Sequence, residues 1–558
     1  MTLPPGRSTT HHILTGLSSG GSDTGGTMRR IVLGVGLSLA LLAGCSKDPS
    51  TPAYWEGRIG DAKTKKDRKK AVEDLRSSKH MGPAMVPMLN KRMDAEKSPE
   101  VKAALARLLG EAKDTSSVEP LLNAVDLSAT DSDARTMNKE IALALGNLGD
   151  PKAVPTLGKL LKVKGDNYTV IAAIEGLGQL GAKEAFEPLY ELATDDAIEP
   201  FMTKKAIMAL GDIGDPRAVP GVVKAMFKER KGISFYMESS FALYQFGKPA
   251  ADALVPVVDG KDKELFSWAE KNNIKDVALY AKAAQVLGDL HEMRAEKTLI
   301  GFLNFKSEFD DIKLIMRMKA ADALGRMRSK EAAKVIAPML LEDEANARHE
   351  YVWALARIGG KEAYGKLVES SGKGSWDARE QSMKGVAMVG DDPAVFDKFA
   401  KDEAQLLGAE CKDDPDYSEC KDVAASVKQH VEKINALKLR VTAAAECKGD
   451  GACWARKLDD KDEGVRERAA YEVGRSGKAE LVGELMKRLT EKNLDTRLAF
   501  IQGADWLVHD SKPAMAEAQK SLPALEKQLA EEKGKTEFVK VNEDLRRLYA
   551  KVKRGWQG

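Results

Sequence analysis

The sequence predicts an all-α protein, an α-solenoid in which helix hairpins stack along the chain into a right-handed superhelix. The main observation is a period, because a glycine ends a similar short phrase about every 31 to 37 residues. The composition agrees, since only 6% of the 558 residues are aromatic and 31% are charged, as in soluble helical proteins. The glycines of this period are Gly149, Gly181, Gly214, Gly247, Gly359 and Gly390.

Each repeat is predicted to contain two helices joined by a tight turn. The first helix ends in Leu-Gly-x-Leu-Gly, as at Leu177–Gly181, because glycine permits close helix contact and a positive φ at the helix end. Asp-Pro then starts the second helix, as at Asp150-Pro151 and Asp215-Pro216, since aspartate caps free amides and proline suits the first helical position. An apolar stripe with helical spacing follows, formed by Ala153, Val154, Leu157, Leu160 and Leu161.

Two of these phrases carry a family resemblance. Asp150–Leu157 and Asp215–Pro220 both have the form Asp-Pro-x-Ala-Val-Pro, and Lys183–Leu189 is a weaker copy. In this pattern the chain resembles the HEAT-repeat family, in particular the repeats similar to phycobilisome lyases. The resemblance covers about residues 80–400, with one further copy at 466–490. It implies an α-solenoid and says little about function, because such repeats serve many roles.

The period is interrupted twice. The spacing from Gly247 to the turn near His291 is 44 residues, and we expect a longer loop at Lys261–Lys275. The spacing from Gly390 to Gly477 is 87 residues, enough for two irregular repeats. The predicted organisation is therefore a signal region at 1–44, a lipidated flexible tether at 45–60, a HEAT-repeat solenoid at 61–400, irregular helical repeats with four cysteines at 401–465, and a C-terminal repeat with a helical cap at 466–558.

The N-terminal segment has the pattern of a secretory signal. Met28, which we expect to be the true start, precedes Arg29-Arg30 and the apolar run Ile31–Leu42. That run is too short to span a bilayer, which needs roughly 20 residues. Leu42–Cys45 resembles the lipobox of bacterial lipoproteins, and the resemblance implies lipidation of Cys45. We therefore expect a lipid-anchored protein of the bacterial cell envelope, on the outer membrane facing the periplasm.

The four remaining cysteines are close together in sequence. An even number of cysteines in an exported protein favours disulfides. Three pairings are open, and the one between nearest neighbours is favoured. A zinc site is the alternative, although zinc sites usually carry Cys-x-x-Cys pairs, which these spacings lack. The four cysteines are Cys411, Cys420, Cys447 and Cys453.

No catalytic or metal-binding constellation stands out. His349-Glu350 resembles one iron-binding pair of HEAT-like di-iron hydroxylases such as deoxyhypusine hydroxylase, which carry such pairs in four repeats. None of the corresponding pairs in the other repeats can bind iron. These pairs are Lys139-Glu140, Ile171-Ala172, Lys204-Lys205 and Met318-Lys319. We therefore predict no metal, no cofactor and no enzymatic activity. The formal net charge of +2 also argues against a nucleic-acid partner, because nucleic-acid-binding domains carry a strong basic excess.

The predicted function is a non-catalytic scaffold that binds a protein partner at the envelope. A cell-wall or carbohydrate-binding protein is one alternative, which requires tryptophans clustered on one exposed face. An accessory factor with an enzymatic role is another, which requires a cleft with converging polar groups near 391–465. The tryptophans in question are Trp268, Trp353, Trp376, Trp454 and Trp506.

Overall fold

Helices make up nearly all regular structure in the computed structural model, which describes residues 48–340, 345–361 and 363–555. These residues contain 30 α-helices and one short antiparallel hairpin. The compact unit begins at Pro49. The predicted signal region and Cys45 lie outside the described residues. No helix in these ranges is both long and apolar enough to cross a membrane.

The first half of the chain alternates shorter and longer helices. They are α1 (Pro52–Gly60), α2 (Lys65–Ser77), α3 (Val86–Ala95), α4 (Pro99–Ala112), α5 (Val118–Asn123), α6 (Ser132–Leu148), α7 (Val154–Leu160), α8 (Asn167–Gln179), α9 (Phe186–Thr194), α10 (Pro200–Ile213), α11 (Val219–Phe227), α12 (Tyr236–Phe246), α13 (Lys248–Val258), α14 (Lys263–Lys271) and α15 (Asp276–Asp289). Between α11 and α12 lies the hairpin of β1 (Glu229–Arg230) and β2 (Ile233–Ser234).

The second half keeps this alternation as far as α21 and then departs from it. Its helices are α16 (Glu296–Leu303), α17 (Asp310–Arg326), α18 (Lys330–Met339), α19 (Ala345–Ile358), α20 (Tyr364–Ser370), α21 (Trp376–Val389), α22 (Ala394–Asp413), α23 (Val423–Cys447), α24 (Gly451–Arg456), α25 (Glu463–Arg475), α26 (Val482–Met486), α27 (Leu494–Asp510), α28 (Lys512–Gln519), α29 (Leu522–Glu532) and α30 (Val539–Arg554).

The longer helices of successive repeats pack directly on one another, from α4 on α6 to α10 on α12, and again from α15 to α19. Glycines allow this close approach. A Cβ atom at Gly178, in the predicted phrase, would lie 2.9 Å from Ala209 Cα, and one at Gly288 would lie 2.7 Å from Ala323 Cα. The close helix contact predicted at the glycines is confirmed, and the fold is an α-solenoid.

The Asp-Pro phrases start the second helices as predicted, but a 3-10 turn precedes each α-helix. Asp150 accepts a hydrogen bond from the Lys152 amide at 2.9 Å, and the preceding Gly149 has a φ of 72°. The proline begins a single 3-10 turn, Pro151–Ala153, and α7 follows it. The cap and the left-handed glycine thus reverse the chain within a few residues.

The prediction of a longer loop at Lys261–Lys275 is wrong, because α14 occupies most of this segment. Asp262 accepts a hydrogen bond from the Leu265 amide at 2.9 Å and so caps the helix. Leu265 and Ala269, one turn apart, are buried. The segment therefore packs its own apolar face and adds a short helix to the longer repeat.

The flexible tether predicted at 45–60 is also shorter than expected, because α1 begins at Pro52. Trp55 and Ile59 of this helix are buried, and the Trp55 indole donates to the Pro49 carbonyl at 2.7 Å. The array thus starts about one helix earlier than the sequence indicated.

A buried polar cluster organises the segment predicted to be irregular. The Arg379 guanidinium of α21 donates to Glu403 of α22 at 2.8 Å through both Nε and Nη2. Glu403 also lies 3.0 Å from His430 Nδ1 of α23, and the His430 ring stacks on Trp376. The boundaries predicted at 401 and 465 both fall inside helices, α22 and α25. This cluster joins three long helices that follow no regular period.

The C-terminal helices return to the ends of the long helices in the middle of the chain. Arg554 of α30 donates to the Gln245 carbonyl at 2.9 Å. Trp506 of α27 donates to the Arg326 carbonyl at 3.3 Å, and Arg475 of α25 donates to the Ala356 carbonyl at 2.9 Å. These carbonyls belong to last turns, where the helix offers them no amide partner. The C-terminal segment therefore covers the helix ends of several middle repeats.

Candidate functional site

A row of exposed apolar side chains lies at one edge of the repeats. Tyr168, Phe201 and Met237 are exposed by 75%, 53% and 55%. Each is the second residue of its helix, α8, α10 and α12 respectively. Because α8 packs on α10 and α10 packs on α12, equivalent positions of these helices lie side by side. We call these three residues the apolar row.

The helix starts explain why these residues point to solvent. Asp166 accepts from the Thr169 amide at 3.1 Å, and Glu199 accepts from the Phe201 amide at 2.8 Å. The buried face of each helix begins after the second position, since Thr169 and Thr203 are buried. The second residue is thus fixed in position by a capped helix turn and turned away from the core.

The base of the apolar row is held by an arginine of the β-hairpin. Arg230 donates to the carbonyls of Asp196 at 2.6 Å and Ile198 at 2.9 Å. It also donates to Thr203 Oγ1 at 2.6 Å. The loop before α10 is therefore tied to α10 itself. A contact surface that is ordered before binding loses less entropy when a partner docks.

A second feature is a cleft of about 460 Å³ between α21, α23, α24 and α25. Arg468, only 3% exposed, forms part of its wall, and its guanidinium lies 5.4 Å from the Trp454 ring centre. Burial lowers the pKa of Arg468 to about 10. The lining residues are Val389, Asp391, Ala444, Ala445, Lys448, Gly449, Trp454, Arg468 and Glu472.

The disulfides join nearest neighbours in sequence. Cys411 pairs with Cys420, and Cys447 pairs with Cys453. The second bond lies beside the cleft, because Cys447 ends α23 and the cleft residue Lys448 follows it. Cys45, the predicted lipidation site, lies outside the described residues.

The buried charges between the middle repeats and the C-terminal helices form a structural contact. Lys551 Nζ lies 2.5 Å from Asp505, and His291 Nε2 lies 3.0 Å from the same carboxylate. Burial alone would raise the pKa of Asp505, but Lys551 and His291 outweigh it and hold the pKa well below its usual range. The gap at this contact is about 30 Å³, room for about one water molecule. A substrate does not fit there.

His349, the member of the possible iron pair, lies 3.3 Å from Gln381 and packs edge-on against Trp353. Within the described ranges, no group of three or more His, Cys, Asp or Glu residues is arranged to hold a metal ion. His349 thus lies in the second turn of α19 and contacts a glutamine and a tryptophan.

The five tryptophans do not share an exposed face. Trp376, Trp454 and Trp506 are buried in different parts of the core. Trp268 and Trp353 are partly buried. The carbohydrate-binding alternative thus loses the observation on which it depended.

Comparisons with known proteins agree with the repeat pattern. The family profile described as HEAT repeats matches residues 86–172 and 161–234. Residues 86–234 are therefore similar to HEAT repeats. No curated protein sequence matches the chain.

Solved structures similar to this chain include the Kap95:Nup1 complex, at 11% identity and a TM-score of 0.43, over 89% of this chain and 73% of that chain. Human deoxyhypusine hydroxylase matches at 20% identity and a TM-score of 0.21, over 55% of this chain and 95% of that chain. The complex of CpcE and CpcF of phycocyanin lyase from Nostoc sp. PCC7120 matches at 22% identity and a TM-score of 0.27, over 49% of this chain and 97% of that chain.

Proposed function

We propose that this chain is a lipid-anchored HEAT-repeat scaffold that binds a protein partner at the bacterial cell envelope without catalysing a reaction. The apolar row carries the proposal. Isolated exposed apolar side chains are ordinary, but a contiguous exposed group of large ones is typical of a protein-binding surface. Three such residues stand at equivalent positions of three packed helices, and this alignment supports the proposal.

The geometry of the apolar row also describes the partner. Packed helices lie about 8–10 Å apart, so Tyr168, Phe201 and Met237 present apolar groups at that spacing. Lys205 Nζ lies 5.7 Å from the Phe201 ring centre, and Lys204 pairs with Glu238 at 3.1 Å. The matching partner surface is a protein segment with large apolar side chains at similar spacing and polar groups around them.

The anchor in this proposal is the lipid on Cys45. Two or more acyl chains hold a protein on a bilayer stably, whereas a single chain gives marginal binding. Mass spectrometry of the N-terminal peptide from the native protein tests it. A diacylglyceryl group on Cys45 supports the anchor, and an unmodified Cys45 thiol contradicts it.

Crosslinked pull-down from envelopes tests the partner. The test variant combines Tyr168→Ser, Phe201→Ser and Met237→Ser. The control combines Tyr417→Ser, Leu439→Ser and Val539→Ser, which removes exposed apolar groups elsewhere. We expect one reproducible partner with the wild type and the control and its loss with the test variant. Equal recovery with all three chains removes the apolar row from the proposal, and recovery of no partner with any chain removes the scaffold function.

A further inference from the structure

The cleft beside the Cys447–Cys453 bond has the size of a ligand site. Its volume of about 460 Å³ falls within the range of small-molecule pockets, about 300–1,000 Å³. Four parts of the fold meet there: the end of α21, the end of α23 with the turn after it, α24 and α25. The disulfide spans the turn that carries Lys448 and Gly449. The cleft is therefore built from several elements at the irregular part of the array.

Arg468 is the main charged group of the cleft, and its surroundings leave it short of hydrogen bonds. Its Nη1 donates to the Ala387 carbonyl at 2.8 Å and to the Arg440 carbonyl at 3.3 Å. Its Nε is buried without a hydrogen bond and lies 3.5 Å from Glu472. A buried cation in this condition gains free energy when an anion completes its hydrogen bonds.

The carboxylates of the cleft are already neutralised by other cations. Glu472 lies 3.0 Å from Arg475, and Asp391 lies 3.0 Å from Lys361. Burial alone would raise the pKa of Glu472, but Arg475 and Arg468 outweigh burial and lower it. Glu472 therefore stays ionised inside its ion pair. Neither carboxylate is left over to neutralise Arg468 fully.

Lys448 adds a second positive charge at the mouth. It is exposed and forms no ion pair with any residue that the structure describes. Two cations and two carboxylates thus line the cleft, and each carboxylate has a further cation partner outside the lining. These groups are Arg468, Arg475, Lys361, Lys448, Glu472 and Asp391.

The rest of the wall is apolar. Val389 and Ala444 contribute aliphatic surface, and the Trp454 ring lies under the Arg468 guanidinium. A purely ionic ligand would make no contact with this apolar surface. An anion with a short hydrocarbon part would contact both the cations and the apolar wall.

We propose that this cleft binds a small organic anion, with a carboxylate or phosphate group held by Arg468 and Lys448 and a short apolar part against Val389, Ala444 and Trp454. The site is separate from the apolar row and does not depend on a protein partner. It gives the HEAT-repeat chain a second function, the binding of a small ligand beside its disulfide segment.

Calorimetric titration of the chain from Ser46 onward tests the proposal, since the compact unit begins at Pro49. The probes are butyrate, methyl phosphate and, as the cationic control, butylamine. We expect saturable one-to-one binding of at least one anion and none of butylamine. Whichever anion binds identifies carboxylate or phosphate as the preferred group. Binding of neither anion, or equal binding of butylamine, overturns the proposal.

Two exposed lysines provide matched variants. Lys448→Gln should weaken anion affinity by about three-fold, the effect expected when one partly solvated ion pair is lost. Lys461→Gln, which removes an exposed lysine outside the cleft lining, should leave the affinity unchanged. Both variants should keep the wild-type melting temperature. Unchanged affinity in Lys448→Gln, or an equal loss in Lys461→Gln, contradicts the assigned site.

Discussion

Asp289 of α15 lies with its Oδ2 3.2 Å from Arg547 Nε of the last helix. The Asp289 side chain is only 2% exposed and also pairs with Arg326 at 3.2 Å. One carboxylate thus joins a middle repeat to the C-terminal end of the chain. Removing one partner of a buried ion pair costs more than replacing the whole pair, because the remaining charge stays buried.

The variant Arg547→Met should lower the free energy of unfolding by about 3 kcal/mol, since Asp289 then keeps only Arg326 as a cation. Adding Asp289→Asn should recover part of that loss. Lys553→Met, an exposed change on the same helix, serves as the control and should have almost no effect. Urea unfolding followed by circular dichroism measures all four chains. If Arg547→Met unfolds like the control, the contact does not stabilise the fold.

Alanine substitutions at two helical glycines distinguish the effect of close packing on stability from the effect of helix propensity. Gly288→Ala should destabilise the protein by about 1–3 kcal/mol, because the new Cβ would lie 2.7 Å from Ala323 Cα. Gly301→Ala should be neutral or stabilise by up to about 1 kcal/mol, since no atom lies within 4 Å of its Cβ position. Thermal melting of both variants measures the difference, and equal shifts would contradict the role given to Gly288.

Mild acid should weaken the contact between α27 and the turn after α15, which carries His291. Burial lowers the pKa of His509 to about 3, and the ring of His291, centred 4.6 Å away, adds to the shift. An unfolded histidine takes up its proton near pH 6.5, so the stability from the neutral ring is complete above that pH and falls as the pH decreases toward about 3. This sign follows from the unfolded state binding more protons in that window.

The measurement is the free energy of unfolding at about pH 7.5 and about pH 5. Between these values, wild type should lose about 1 kcal/mol more than His509→Gln. The variant lacks the titrating ring at this position. Identical slopes for the two proteins would show that His509 does not contribute to the acid sensitivity.

The Cys447–Cys453 bond should stabilise the fold by about 2 kcal/mol, the value expected for a short closed loop. The double variant Cys447→Ser with Cys453→Ser removes it, and Cys411→Ser with Cys420→Ser is the matched comparison. Only the first should also weaken butyrate or methyl phosphate binding, because Lys448 lies inside its loop. Equal effects of both variants on ligand binding would separate the cleft from the disulfide.

The repeat can be predicted directly from the sequence. Gly149 and Asp150 mark the helix ends because left-handed backbone and amide capping are local requirements. The same locality made the nearest-neighbour pairing of Cys411 with Cys420 the favoured one. Features set by residues close in sequence, or by a regular period, can therefore be predicted from this chain.

Long-range contacts could not be predicted. The charged helix α30 reads as a solvated cap, and nothing local indicates that Arg547 meets Asp289. The apolar row did leave a signal, since Tyr168 and Phe201 occupy the same helix position in successive repeats. The exposure of these side chains could not be predicted, because it depends on how the neighbouring helices pack. The cleft was foreseen only as a possible site near 391–465, without its cations.

Photo-crosslinking in intact cells tests the central claim most directly. A benzophenone amino acid replaces Phe201 in one chain and Leu439, an exposed residue of α23, in the control chain. We predict one discrete crosslinked protein partner from position 201 and not from position 439. The same partner from both positions, or no partner from position 201, would contradict a scaffold that acts through the apolar row.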